Sequence, residues 1–156
     1  SQKDSEPKCT IFVGVPTMYS KILDYLGDDQ LDFSHLRLLT SGSAPLLARE
    51  FERINTSFGK EPVEREGMSE TGMNFSNPLQ GKRKPGSIGL PLPALEVRIV
   101  DPDTGLDVSP GQTGEILLKG PAITPGYWRK PAETAGWIDE VDVGVSTVAD
   151  EPEKDV

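Results

Sequence analysis

Of the 156 residues only one is cysteine and only one is histidine. The lone thiol, Cys9, excludes an internal disulfide and a cysteine-rich metal site, and such usage fits an intracellular, reducing compartment. His35 has neither a nucleophile nor a fellow ligand nearby, so it reads as a lead-in to the strand that follows it rather than as a catalyst. No apolar run approaches the ~20 residues that a bilayer-crossing helix needs. The amino end, Ser1-Gln2-Lys3-Asp4-Ser5-Glu6, is polar, mixed in charge and without methionine. It has the features of neither a signal nor a transit peptide and reads as an internal cut or a processed start. Basic residues are also scarce, 16 against 25 acids for a net charge of −9. That excludes a nucleic-acid partner, which requires clustered Lys and Arg.

What the chain does have is turns: 16 Gly and 14 Pro with a hydrophobic content of 35%. Its length suits one modest domain with a real core, and the pattern predicts a loop-rich α/β fold. Thr10-Ile11-Phe12-Val13-Gly14-Val15 reads as a buried strand. Pro16-Thr17 then opens a helix on which Tyr19, Ile22, Leu23 and Leu26 recur at helical spacing and which Gly27 ends. Leu36-Arg37-Leu38-Leu39-Thr40 is a second strand. A second helix follows, with Ser43 as N-cap, Pro45 in its first turn, and Leu47, Phe51, Ile54 and Phe58 on its apolar face. From Leu92 the texture changes to short strands and turns: Leu95, Val97 and Ile99 alternate with Glu96 and Arg98, and residues 114–120 supply another strand. Residues 132–156 hold eight acids and one lysine, seven of the nine net negative charges. The expected organisation is a polar leader over 1–9, an α/β portion over 10–91, a small antiparallel β subdomain over 92–131, and an acidic, disordered tail over 132–156.

The stretch that carries chemistry is Glu64-Arg65-Glu66-Gly67-Met68-Ser69-Glu70-Thr71-Gly72. A hydroxyl, a carboxylate and two glycines in so few residues suit a loop around a metal-bound phosphate. Glycine admits close backbone approach, Ser69 donates to a phosphate oxygen, and Glu70 holds Mg²⁺ directly or through water. A solvated turn with a Ser or Thr cap fits the same residues. The second candidate is Ser41-Gly42-Ser43-Ala44, where a strand meets a helix. Small residues there leave backbone groups free at the carboxyl end of a sheet, where open α/β folds bind ligands.

Taken in order, Leu39-Thr40-Ser41-Gly42-Ser43-Ala44-Pro45-Leu46, the stretch ending in Gly72, Pro85-Gly86-Ser87-Ile88-Gly89, Gly114-Glu115-Ile116-Leu117-Leu118-Lys119-Gly120-Pro121 and Gly126-Tyr127-Trp128 resemble the middle of the AMP-dependent synthetases, the adenylate-forming acyl-CoA synthetases. Gly72 to Leu79 and Gly81 to Gly89 are most similar to malonyl-CoA synthetases. The resemblance implies the α/β fold of the amino-terminal domain of that family, with ATP, Mg²⁺ and coenzyme A as cofactors and a small carboxylic acid as partner. It implies Ser69 and Glu70 as catalytic residues, Glu70 as metal ligand, and Ser41, Gly42, Ser43, Ala44, Glu66, Gly67 and Met68 around the nucleotide. A second carboxylate on the substrate would call for a guanidinium, which forms two parallel hydrogen bonds. Arg83 and Arg37 are the candidates, with a basic surface loop as the other reading of Lys82-Arg83-Lys84.

Two departures stand out. Glu66 occupies the position at which the family usually has an aromatic residue that stacks on adenine, and it brings negative charge toward the phosphates. Asp142 falls where the family has an aspartate that binds the ribose hydroxyls, but Glu140-Val141 stands where Thr-Gly is expected, so Asp142 is either a ribose contact or one more acid on a solvated run. The phosphate loop and the carboxyl-terminal lid lysine of the family are not among these 156 residues. The expectation is therefore a central fragment of an acid–CoA ligase, inactive by itself and in need of the missing ligase segments. The alternative is a non-catalytic interaction module of the same fold.

Overall fold

A computed structural model describes residues 9–27, 29, 31–136 and 143–146. The β-branched run at the amino side forms β1 (Ile11–Gly14), and proline in the first helical turn starts α1 (Pro16–Leu26), where a missing N–H costs nothing. β2 (Leu38–Ser41), α2 (Ala48–Phe58), β3 (Val63–Met68), β4 (Gly72–Ser76) and β5 (Leu90–Pro91) follow. They make a five-stranded sheet in the order β1-β2-β3-β4-β5. β1, β2 and β3 run parallel, with Ile11 opposite Leu38 and Thr40 opposite Val63, whereas β4 and β5 are antiparallel. The fold is thus α/β with a mixed sheet, parallel from β1 to β3 and antiparallel at β5.

The chain divides into two units: Ser1–Met68 with Met73–Leu92, and Ser69–Gly72 with Pro93–Val156. In the first, Tyr19 and Leu23 of α1 and Phe51, Ile54 and Phe58 of α2 are buried with Leu36, Leu39 and Leu46. Phe12 and Phe58 meet the Tyr19 ring edge-on at 5.2 and 6.0 Å, and Phe33 stacks on Phe58 at 4.3 Å. The two helices are also joined at the surface, where Arg53 reaches Asp24 at 2.9 Å and Glu50 at 3.0 Å. Such exposed pairs are screened by solvent, whereas truncating one buried Phe costs ~3–5 kcal/mol. The core, not the ion pairs, decides the packing.

The second unit contains β6 (Glu96–Val100), β7 (Glu115–Lys119), β8 (Val143–Ser146) and the short α3 (Pro131–Ala135). Its three strands form an antiparallel sheet in the order β6-β7-β8. Val100, Ile116 and Leu118 are buried. Asp101 closes the turn after β6 by accepting N–H bonds from Thr104 and Asp103, which hold its carboxyl below the usual range.

Three expectations are corrected. Residues 64–68 form a strand rather than a loop, because β2 on one side and β4 on the other satisfy its backbone and outweigh its charged composition. The second helix starts at Ala48, not at Pro45. Ser43 has a left-handed φ of 65° and caps nothing, and Leu46 rather than Leu47 enters the core. In the region expected as a disordered tail, Val143–Ser146 pairs with β7 and the helix Pro131–Ala135 reaches into its start. The backbone groups along the free side of β7 require partners, and a Val-Gly-Val-Ser segment provides them despite the acids around it.

The Tyr19 hydroxyl donates to the Thr40 carbonyl at 2.8 Å in a fully buried position, and burial raises its pKa well above the ordinary tyrosine value. The folded chain therefore retains a proton that the unfolded chain gives up near pH ~10, so stability falls as pH rises past that point. Tyr19→Phe is expected to cost about 1 kcal/mol at neutral pH and to flatten this alkaline loss, as read by urea unfolding at pH 8 to 11.

Candidate functional site

The corner after β2 is built from the core outward. Ser41 ends the strand opposite Glu64 of β3, and it is 1% exposed. Its Oγ, like that of Thr40, is buried without a hydrogen-bond partner among the described residues. Gly42 follows against β3, where a Cβ would lie 2.8 Å from the Arg65 carbonyl oxygen, so no larger residue fits without displacing backbone. Ser43, in its left-handed conformation, and the exposed Ala44 complete the turn. A non-glycine residue held there stores roughly 1–2 kcal/mol, a cost found at ligand-binding corners.

Beside this corner, β3 carries Glu66, Gly67 and Met68. The Glu66 carboxylate accepts a 3.0 Å bond from Asn74 Nδ2 on β4. The carboxylate at the position expected to stack on a base is thereby tied to the neighbouring strand. Glu64, two residues earlier, is buried and accepts the Gly86 N–H at 3.0 Å. Asn74 was not singled out from the sequence, and an amide side chain within a strand gives no signal of its partner.

Ser69 and Glu70 occupy the turn between β3 and β4 and group with the second unit. Ser69 is exposed. Glu70 is held twice: its carbonyl accepts the Thr124 N–H at 2.7 Å and its Oε1 accepts the Tyr127 hydroxyl at 2.8 Å. The hydrogen bond to the carboxylate, followed by burial, raises the Tyr127 pKa. Among the described residues nothing bonds Oε2, and no three His, Cys, Asp or Glu side chains converge on a metal-sized site. One carboxylate with a free oxygen fits Mg²⁺, which keeps most of its waters and takes the rest of its ligands from phosphate.

Arg83 lies elsewhere in the first unit. Its guanidinium donates to the carbonyls of Pro78 at 3.0 Å, Leu79 at 2.8 Å and Glu61. It thus clamps the loop after β4 to the approach of β3. With Arg37, Asn55 and Lys60 it lines a cavity of about 360 Å³. That cavity is at the amino end of β2, and Ser41 is at the carboxyl end. Asp142 lies outside the described residues.

The family model for AMP-binding enzymes matches residues 5–128. The chain belongs to the AMP-binding enzyme family. Among curated relatives of this family, the mitochondrial malonate–CoA ligase of Mus musculus is 37% identical over 89% of the chain and 30% of its own length. The long-chain-fatty-acid–CoA ligase of Bacillus subtilis is 38% identical over 88% of the chain and 26% of its own length. Among solved structures, ATP-bound MatB from Rhodopseudomonas palustris superposes with a TM-score of 0.80 at 40% identity, covering 88% of this chain and 27% of that one. A malonyl-CoA ligase in a ternary product complex with methylmalonyl-CoA and AMP gives 0.73 at 34% identity, covering 87% and 30%. As an AMP-binding enzyme the chain is an adenylate-forming acyl-CoA ligase relative close to the malonate–CoA ligases, and it spans about 30% of the length of the mouse relative.

Leaving a buried hydroxyl unpaired costs ~1–3 kcal/mol. Ser41→Ala is therefore expected to raise the melting temperature of the ligand-free protein by a few degrees in calorimetry. An equal drop would mean that the hydroxyl has a structural partner.

Proposed function

We propose that this chain is the nucleotide-binding central portion of an AMP-forming acid–CoA ligase that acts on a short dicarboxylic acid such as malonate. The observation that carries this reading is the unpaired Ser41 hydroxyl, buried at the strand-to-helix corner beside Gly42 and the strained Ser43. A folded protein keeps such an atom where a ligand completes it. The malonate assignment is supported by the similarity to malonate–CoA ligases.

In this reading the corner from Ser41 to Ala44 lines the nucleotide, with the backbone of residues 66–68 alongside. Ser69 donates to a phosphate oxygen. Glu70, with its free Oε2, would hold Mg²⁺, which when bound neutralises charge on the phosphate oxygens. Arg83 and Arg37, the guanidinium candidates for a second substrate carboxylate, line a cavity at the other end of β2, and Arg83 is committed to three carbonyls, so neither is given that role in this reading. Charge stabilisation on phosphate is the larger part of such catalysis, and removal of a single donor costs 10²–10³ in rate. These 156 residues include neither the phosphate loop nor the lid lysine, so by themselves they bind nucleotide without turning over.

A second reading, a non-catalytic interaction module, is favoured by one feature: Glu66 offers a carboxylate instead of a ring to the base, and that carboxylate is bonded to Asn74. Titration calorimetry with Mg·ATP separates the two. The chain is expected to bind weakly, Glu66→Tyr to bind about tenfold more tightly, and neither to release AMP from malonate, ATP and coenzyme A. Absence of binding heat from both proteins would leave the module reading alone.

A further inference from the structure

Glu70 is gripped by a segment 54 to 57 residues further along the chain, and that grip is more elaborate than a turn needs. Thr124 takes the main-chain carbonyl and Tyr127 takes one carboxylate oxygen. Tyr127 is itself fixed at its backbone, because its N–H donates to Thr134 Oγ1 at 2.9 Å and its carbonyl accepts the Lys130 N–H at 3.2 Å. Thr134 in turn donates to the Lys130 carbonyl at 2.8 Å, which locks the acceptor in place. The preceding Gly126 adopts a φ of 139°, and a Cβ there would lie 2.5 Å from Thr134 Cγ2. The approach of α3 to residue 126 is therefore possible only for glycine.

We propose that Tyr127 is a positioning residue for Glu70: its hydroxyl occupies Oε1, fixes the plane of the carboxylate and leaves Oε2 as the single oxygen presented to a cation-bound phosphate. This rests on the role given to Glu70 above and extends it to a residue that contacts neither nucleotide nor cation. A carboxylate rotates freely about its last bond when solvated. One bond from a phenol that is held at its own backbone removes that freedom, the same service that outer ligands perform for metal-binding carboxylates. The Thr134 hydroxyl, Gly126 and the short helix α3 support the phenol and have no direct contact with Glu70 among the described residues.

The test uses the 156-residue chain, Tyr127→Phe, Glu70→Gln and the double variant, with ATP titrated in the presence of Mg²⁺ and again in excess chelator. Tyr127→Phe is expected to weaken Mg·ATP binding about tenfold, within the range found for lost outer-ligand contacts, while metal-free ATP binding and the melting temperature stay at wild-type values. In the Glu70→Gln background, Tyr127→Phe is expected to cost at most a twofold further loss, since the phenol acts through the carboxylate. Equal weakening with and without Mg²⁺, or additive losses in the double variant, would overturn the proposal. So would a Tyr127→Phe protein that binds Mg·ATP as the wild type does, and in that case the nucleotide reading survives. A wild-type chain that binds no nucleotide overturns that reading and this proposal together.

Discussion

The first unit depends on where β2 stops. The Tyr19 hydroxyl, buried in the middle of an aromatic cluster, holds the carbonyl of Thr40, and the side-chain oxygens of Thr40 and of Ser41 after it find no partner among the described residues. Parallel pairing on both sides leaves the strand no slack, since Gly14 is opposite Ser41 on one side and Glu64 on the other. Both helices press on the same core, so the corner that begins at Ser41 inherits the rigidity of eight buried side chains. A strained Ser43 persists there because its surroundings fix it.

The second unit achieves precision differently. Few of its described residues are buried and many lie in turns, and it places Glu70 through a relay of hydrogen bonds: Lys130 carbonyl, Thr134 hydroxyl, Tyr127 backbone, Tyr127 phenol, Glu70 carboxylate. Each member is held by another, so no single side chain has to be immobilised by packing. Such a relay is sensitive to the loss of any link.

Much of the fold was legible because helical periodicity is a local signal: Tyr19 and Leu23, and Phe51, Ile54 and Phe58, are buried as their spacing predicts. The start of α2 was less legible, since Ser-Ala-Pro has the composition of a helix entry and only the backbone places Ser43 in the left-handed region. Residues 64–68 carry the charges and glycine of a turn, while the side-chain partners of Glu64 and Glu66 in the strand come from Gly86 and Asn74. The short strand at residues 143–146 was hidden by the acids flanking it. Motif order identified Ser69 and Glu70 as a pair, yet nothing in the sequence joins Glu70 to a tyrosine 57 residues away. Contacts of that range are created by topology and are invisible to pattern.

The order of the five-stranded sheet makes its two margins unequal. At β5 the final residue is Pro91, which has no N–H to offer an added strand. At β1 the outer side of Ile11–Gly14 carries ordinary donors and acceptors, with Val13 more than half exposed. Pro91 thus takes one donor away from the β5 margin, whereas Ile11–Gly14 contains no proline and keeps a donor at every residue, so of the two margins β1 offers an added strand the fuller set of partners.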